Sequence, residues 1–168
     1  NYRKSGFRLA HRNIRYGGVP TGLAARTPAA PLADVPFALV AEQDAQVFPA
    51  ERPAFLRAWL SAPGHVGRAV LRDGRLAAWG VIRPCRQGRK IGPLVAEDRA
   101  AAETLFSALV GAEEGEVFLD VPQPNREAVA LARSHGLAPV FETARMYTGA
   151  LPPLALERVF GVTSFELG

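Results

Sequence analysis

The sequence predicts an α/β fold, a mixed central sheet flanked by helices on both faces, and two stretches carry most of that prediction. In the first, Val117-Phe118-Leu119-Asp120-Val121-Pro122 is a short apolar run, β-branched and aromatic, closed by proline as a buried strand is. Apolar residues then recur at 128, 129, 131 and 132, the spacing of one helix face, with Pro124 and Asn125 at the start and Gly136 placed to stop the helix. Residues 139–147 alternate and return as a strand. A strand–helix–strand unit with short connections calls for stacked α and β layers. The second stretch is Asp73-Gly74 between two apolar runs, the signature of a tight hairpin.

The remaining elements follow in order. Residues 7–16 interleave Arg8, His11, Arg12 and Arg15 with apolar residues, as an edge or half-exposed strand does. Residues 17–36 shift to Gly, Ala, Thr and Pro, with Pro20, Pro28, Pro31 and Pro36; this reads as a linker or wrapping segment. A domain then opens near Phe37. Phe48, Phe55, Leu56, Trp59 and Leu60 share one face of a helix read over 43–61, with Pro53 better suited to a first turn than to an interior. Strands are expected near 67–72, 76–83, 90–96, 116–121 and 138–147. Between them, 97–110 reads as a helix with Glu97 and Asp98 at its positive end. A short helix at 154–160 and a closing strand at 162–167 complete the expectation.

A chain of 168 residues, 48% hydrophobic, suffices for one substantial core. It contains no apolar run long enough for a membrane span, and no leader of charged then apolar residues opens it. One cysteine rules out an internal disulfide framework and suits a reducing compartment such as the cytoplasm. A net charge of +4 is ordinary for a surface of this size.

The residues at 125–137 also carry a resemblance. Asn125, Ala128, Leu131, Gly136 and Leu137 fall where GNAT-superfamily acetyltransferases have an Asn, an Ala and then Leu-Tyr-x-x-x-Gly-Phe. The Tyr position is Ala132 and the Phe position is Leu137. In the family that Tyr usually protonates the departing thiolate of coenzyme A, which alanine cannot do. Tyr2-Arg3-Lys4-Ser5-Gly6-Phe7 repeats the same pattern intact. With an offset of 130 positions Gly6 matches Gly136, Phe7 matches Leu137 and Arg15 matches Arg145. The repeat implies tandem GNAT copies: residues 1–16 as the last strand of a first copy, 17–36 as a linker, and 37–168 as a degenerate second copy. Asn1 in place of an initiator methionine fits a truncated chain.

The family binds the coenzyme pyrophosphate on a Gln/Arg-x-x-Gly-x-Gly/Ala loop after its fourth strand, where helix N–H groups suit phosphate. This chain runs from Leu94-Val95-Ala96 straight into Glu97-Asp98-Arg99, without glycine and with two carboxylates. Acetyl-CoA is therefore expected as cofactor of the intact protein, and no strong binding is expected of this chain alone. The resemblance implies N-acetyl transfer to an amine, with this portion non-catalytic and shaping the acceptor site. The expected partner is a first GNAT domain or a second copy of the chain.

The candidate site residues are Tyr2 as a catalytic relic of the first copy, and Arg83, Arg86, Lys90, Asp120, Asn125, Glu142, Arg145 and Tyr147 as ligand or acceptor contacts. Asp120 also reads as a cap on the turn at Asn125, and Glu142 with Arg145 as an ion pair. Cys85 reads as an inert strand-end thiol, and His11, His65 and His135 lack metal-ligand spacing. The alternative function is a binding module in which Arg83, Arg86, Arg89 and Lys90 hold an anionic small molecule or nucleic acid. The lack of interleaved aromatics argues against nucleic acid.

Overall fold

The computed structural model describes residues 2–24, 28–111 and 113–167. Eight strands form one sheet: β1 (Arg8–Gly18), β2 (Ala30–Pro31), β3 (Val66–Arg72), β4 (Arg75–Pro84), β5 (Arg89–Ala96), β6 (Val117–Pro122), β7 (Ala138–Tyr147) and β8 (Val159–Gly161). Their order is β2-β3-β4-β5-β6-β1-β7, with β8 paired to β5 off that path. Four helices cover it: α1 (Phe37–Val47), α2 (Pro53–Leu60), α3 (Arg99–Val110) and α4 (Arg126–Ser134). Leu105 and Phe106 of α3 and Leu131 and Ala132 of α4 share one core with Tyr16, Ile91, Leu119 and Val121. Val40 of α1 and Leu56 of α2 pack a second core with Trp79, Val81 and Val95. Helices thus lie on both faces.

Five strand expectations hold within a residue or two, and Asp73 and Gly74 make the hairpin turn, both with positive φ. The single helix read over 43–61 is two helices. Phe48 precedes Pro49, and the clash of a proline ring with the residue before it pushes Phe48 into extended backbone (φ −123°, ψ 140°). Pro53 then sits in the first turn of α2, where its missing N–H costs nothing. The corner is fastened by Asp44, buried on α1, which accepts from Arg52 Nε at 2.7 Å and Nη2 at 2.8 Å.

The first strand is an interior one. β1 lies antiparallel between β6 and β7, with Asn13 to Gly18 opposite Pro122 to Val117 on one side and Arg8 to Gly17 opposite Tyr147 to Ala138 on the other. Tyr16 is 1% exposed. The proline-rich stretch behaves as a wrap around the domain: Thr21 N–H donates to the His135 carbonyl at 3.0 Å, Leu32 is buried, and Ala30 and Pro31 pair with β3. Residues 25–27 of that stretch lie outside the described residues.

The C-terminal expectations are corrected. Residues 154–160 form a single turn of 3-10 helix, Leu156–Arg158, and the strand is Val159–Gly161 rather than 162–167. Phe160 is 1% exposed inside the larger core. Phe160→Ala should therefore cost about 3–5 kcal/mol, read as a lowered urea midpoint of unfolding; a change typical of a surface site would show that β8 is not part of the core.

Candidate functional site

β5 and β6 run parallel and bond only at Arg89 to Ile91 against Val117 to Leu119. Beyond that point they part, opening a splay toward their carboxyl ends, the end of a parallel pair at which α/β folds take ligands. Here the chain fills its own splay. Gly161 and Val159 of β8 pair antiparallel with Leu94 and Val95 of β5. From the far side, Val162 N–H donates to the Asp120 carbonyl at 2.9 Å. The fit requires glycine: a Cβ on Gly161 would meet Leu119 Cδ1 at 2.6 Å, and one on Gly92 would meet the Thr163 carbonyl oxygen at 2.4 Å. Asn125 ties the segment down. Its Oδ1 caps α4 by accepting from Ala128 N–H at 3.0 Å, and its Nδ2 donates to the carbonyls of Leu156, Glu157 and Val159 at 3.2, 2.9 and 2.9 Å.

At the mouth of the splay Glu97 and Asp98 alone join β5 to α3. Asp98 is the helix cap, its Oδ1 accepting from Ala101 N–H at 2.8 Å, so a carboxylate already occupies the positive end of α3. Arg72 donates to Glu97 at 2.9 Å and to Asp98 at 2.6 Å. The bond from Arg72, then that from Ala101 N–H, hold the Asp98 carboxyl below the usual range. Ala132 is fully buried in the core it shares with Phe160 and presents no polar group.

A charged cluster stands where the two strands part. Asp120 is fully buried, and its expected capping role is replaced by a clamp: Arg15 of β1 donates from Nε at 2.7 Å and Nη2 at 3.0 Å, and Lys90 of β5 pairs with the second oxygen. Phe165 lies against both cations, 4.6 Å from the Arg15 guanidinium and 5.4 Å from Lys90 Nζ. Arg15, Lys90, Arg83, Arg86, Phe118 and Glu166 line an open recess of about 790 Å³ in front of the clamp. The Ser164 hydroxyl and Glu166's own N–H, with Lys90 and Arg15 farther off, keep the Glu166 carboxyl ionised well into acid. Arg83 lies over the Trp59 ring at 5.3 Å, and its buried Nε has no partner. Arg89, grouped with these residues by sequence, points elsewhere and donates to the Val110 and Glu113 carbonyls.

The other candidates scatter. Glu142 pairs with Arg12, not with Arg145, because the two sit on neighbouring strands while Arg145 turns to donate to the Tyr147 hydroxyl at 3.2 Å. Arg145 and Tyr147 border a small cavity of about 30 Å³ with His11 and Asn13, whose buried Oδ1 lacks a partner. Tyr2 lies on an exposed turn, edge-on to Phe7. The Cys85 thiol donates to the Gln87 carbonyl at 2.8 Å. His135 is at a helix end but buried, stacked on Phe106. The sequence carries no sign of the role of Arg15 in the Asp120 clamp beyond its match to Arg145. Among the described residues no cluster is fit to hold a metal, and no helix is long and apolar enough to cross a membrane.

Helix α3 after a two-residue turn, the parallel pair that parts, and helices on both faces define a class. Residues 40–161 match the acetyltransferase (GNAT) domain family, and the chain belongs to it. Holothin acyltransferase of Pseudoalteromonas sp. (strain SANK 73390) is 29% identical over 178 aligned positions, which cover 100% of this chain and 58% of that protein. A Pyrococcus horikoshii protein solved as a candidate acetyltransferase superposes with a TM-score of 0.80 at 22% identity, over 99% of this chain and 55% of that one. A GCN5-related N-acetyltransferase of Anabaena variabilis does so at 0.58 and 16% identity, over 86% and 42%. The chain thus spans little more than half the length of the first two. The structural likenesses show a GNAT fold.

Two outcomes test the site's energetics. Asp120→Ala leaves Arg15 and Lys90 facing each other without a counter-charge and should cost about 3–5 kcal/mol, whereas Asp120→Ala with Lys90→Met together should recover part of the loss; equal urea midpoints for the single variant and the parent would disprove the clamp. Burial lowers both imidazoles below 6.5, reinforced at His11 by Arg145 and, at His65, outweighing a hydrogen bond with the Trp59 backbone, with a smaller push from Arg83. The unfolded chain then binds more protons than the folded one just under pH 6.5, so stability should fall as pH drops through that range. His11→Gln with His65→Gln should flatten that slope in urea titrations between pH 7 and pH 5.

Proposed function

We propose that this chain is the non-catalytic half of a tandem GNAT acyltransferase: another copy holds acetyl-CoA, and this one shapes the acceptor site. The observation that carries the reading is β8 in the splay. Acyl transfer from a thioester to an amine requires a positioned thioester, a deprotonated amine and a proton for the leaving sulfur. Here the path to the first is filled by Val159–Gly161. The positive end of α3 is taken by Asp98, where a pyrophosphate would meet two carboxylates. The tyrosine that would serve the third is Ala132. These residues do not fit acetyl-CoA, and no transfer step is assigned to them. The name of holothin acyltransferase supports acyl transfer as the activity of a longer protein of this kind.

Calorimetric titration of acetyl-CoA into the 168-residue chain should show no micromolar binding, and the chain should not acetylate amines at an enzymatic rate. Saturable micromolar binding would overturn the reading. So would a gain of binding confined to a variant lacking residues 154–168 yet still folded, because the site would then be intact beneath a removable cover.

A second reading, a module that binds small anions, is favoured by one observation. Arg83 and Arg86 have no carboxylate partner among the described residues and face a recess that already holds Arg15 and Lys90. Such a surface suits an acceptor carrying a carboxylate or phosphate as well as a free ligand. Benzoate and phenyl phosphate should bind the recess, and Arg83→Ala with Arg86→Ala should weaken them roughly tenfold or more. Equal weakening by Arg75→Ala, at the far hairpin, would reduce the effect to net charge.

A further inference from the structure

The repeat seen in the sequence has a structural counterpart in the way its two halves meet. Residues 8–18 and 138–147, equivalent at an offset of 130, are adjacent strands, β1 and β7, in antiparallel register. An antiparallel pair has a local twofold axis, whose position is set by the register alone. In this pair Asn13 lies opposite Thr143, its own equivalent, and the register runs evenly from His11 opposite Arg145 to Arg15 opposite Phe141. The axis therefore passes through matching residues near the middle of both strands.

The irregularities obey the same symmetry. Between Leu9 and His11 the register steps over Ala10 on β1, and between Arg15 and Tyr16 it steps over Val140 on β7. Ala10 and Val140 are equivalent positions. A β-bulge re-aims a strand and is a built feature rather than an accident, and here one is built twice.

Symmetry fails on the outer side. β1 has β6 as its second neighbour, with Arg15 gripping Asp120. β7 ends the sheet; Val140 is 55% and Phe141 59% exposed. Arg145, equivalent to Arg15, is partly buried, lowers the proton affinity of His11, and has no carboxylate partner among the described residues. A bare edge strand with a half-buried, uncompensated arginine is an unfinished interface.

We infer that the free edge of β7 pairs antiparallel with the strand of a preceding GNAT copy that is equivalent to β6, and that Arg145 there grips a carboxylate as Arg15 grips Asp120. This rests on the tandem reading above. Each copy lends its last strand to the other, and the two sheets become one continuous sheet across the Asn13–Thr143 axis. The partner strand is specified closely. Carried back by the same offset, Val117–Pro122 falls nine to fourteen residues before Asn1, and Asp120 falls on the eleventh residue before it.

Amide hydrogen exchange of the 168-residue chain and of the longer natural protein, followed on peptides covering 138–148, tests this directly. Protection of β7 should rise at least tenfold in the longer protein, where Arg145→Glu should abolish the gain and reversal of the upstream acid to arginine should restore it. Arg145→Ala in the 168-residue chain should leave its melting temperature nearly unchanged, since no carboxylate partner is lost there. A longer protein without an upstream GNAT copy would overturn the tandem reading and this inference together. An upstream GNAT copy with β7 exchanging as fast as in the short chain would overturn the inference alone.

Discussion

The fold depends on one buried carboxylate. Asp120 sits at the level where β5 and β6 separate, and a parallel pair that separates loses the hydrogen bonds that would keep its strands aligned. Arg15 and Lys90 supply the alignment instead, reaching Asp120 from the strands on either side. In water such a pair contributes little, but a carboxylate with no exposed surface has no alternative partner. The clamp thereby fixes β1, β5 and β6 relative to one another, and its backbone carbonyl also receives the segment that enters the gap. Charge, register and the filling of the splay converge on a single residue.

The gap between β5 and β6 is closed by close packing of the chain's own residues. β8 sends Phe160 into the main core and closes against Leu119 and Leu94 with no room for a side chain at Gly161, while the two N–H groups of the Asn125 amide are shared among the carbonyls of Val159 and of Leu156 and Glu157 just before it. Asn125 has a double employment: one end of its amide starts α4 and the other anchors the tail. A residue that the family resemblance marks thus has a structural role visible in its hydrogen bonds.

Much of the fold was legible because the signals were local. The Asp73-Gly74 turn, the alternation of β7 and the stripe of α3 are each decided within a dozen residues. The lack of a glycine-rich loop before Arg99 was equally plain. What could not be read were contacts between residues far apart. Arg15 and Asp120 are separated by 105 positions, and nothing near either announces the other. The three residues of β8 are too few to show a period, so an adjacent helical pattern absorbed them. Pro49 marks the break at Phe48, but the apolar stripe stays in phase on both sides of it, so its period runs through the corner as if the helix were continuous. Glu142 and Arg145 are close in sequence, yet strand geometry sends Glu142 to Arg12.

The interior position of β1 has a consequence for the order of events during synthesis. Its two neighbours, β6 and β7, lie far later in the chain, Gly18 pairing with Val117 and Gly17 with Ala138. Among the strands of this sheet β1 is synthesised before the others, and it must wait while helices and a hairpin assemble from local contacts. Only when residues 117–147 appear can it close the sheet, which makes its closure a late, topologically distant step of the kind that slows folding. During that interval a strand with two unsatisfied edges is exposed to chaperones and to other nascent chains. Arg8, His11, Arg12 and Arg15, spaced along that segment, put charged and polar groups on the waiting edges in place of a continuous apolar face, the kind of feature that discourages edge-to-edge pairing.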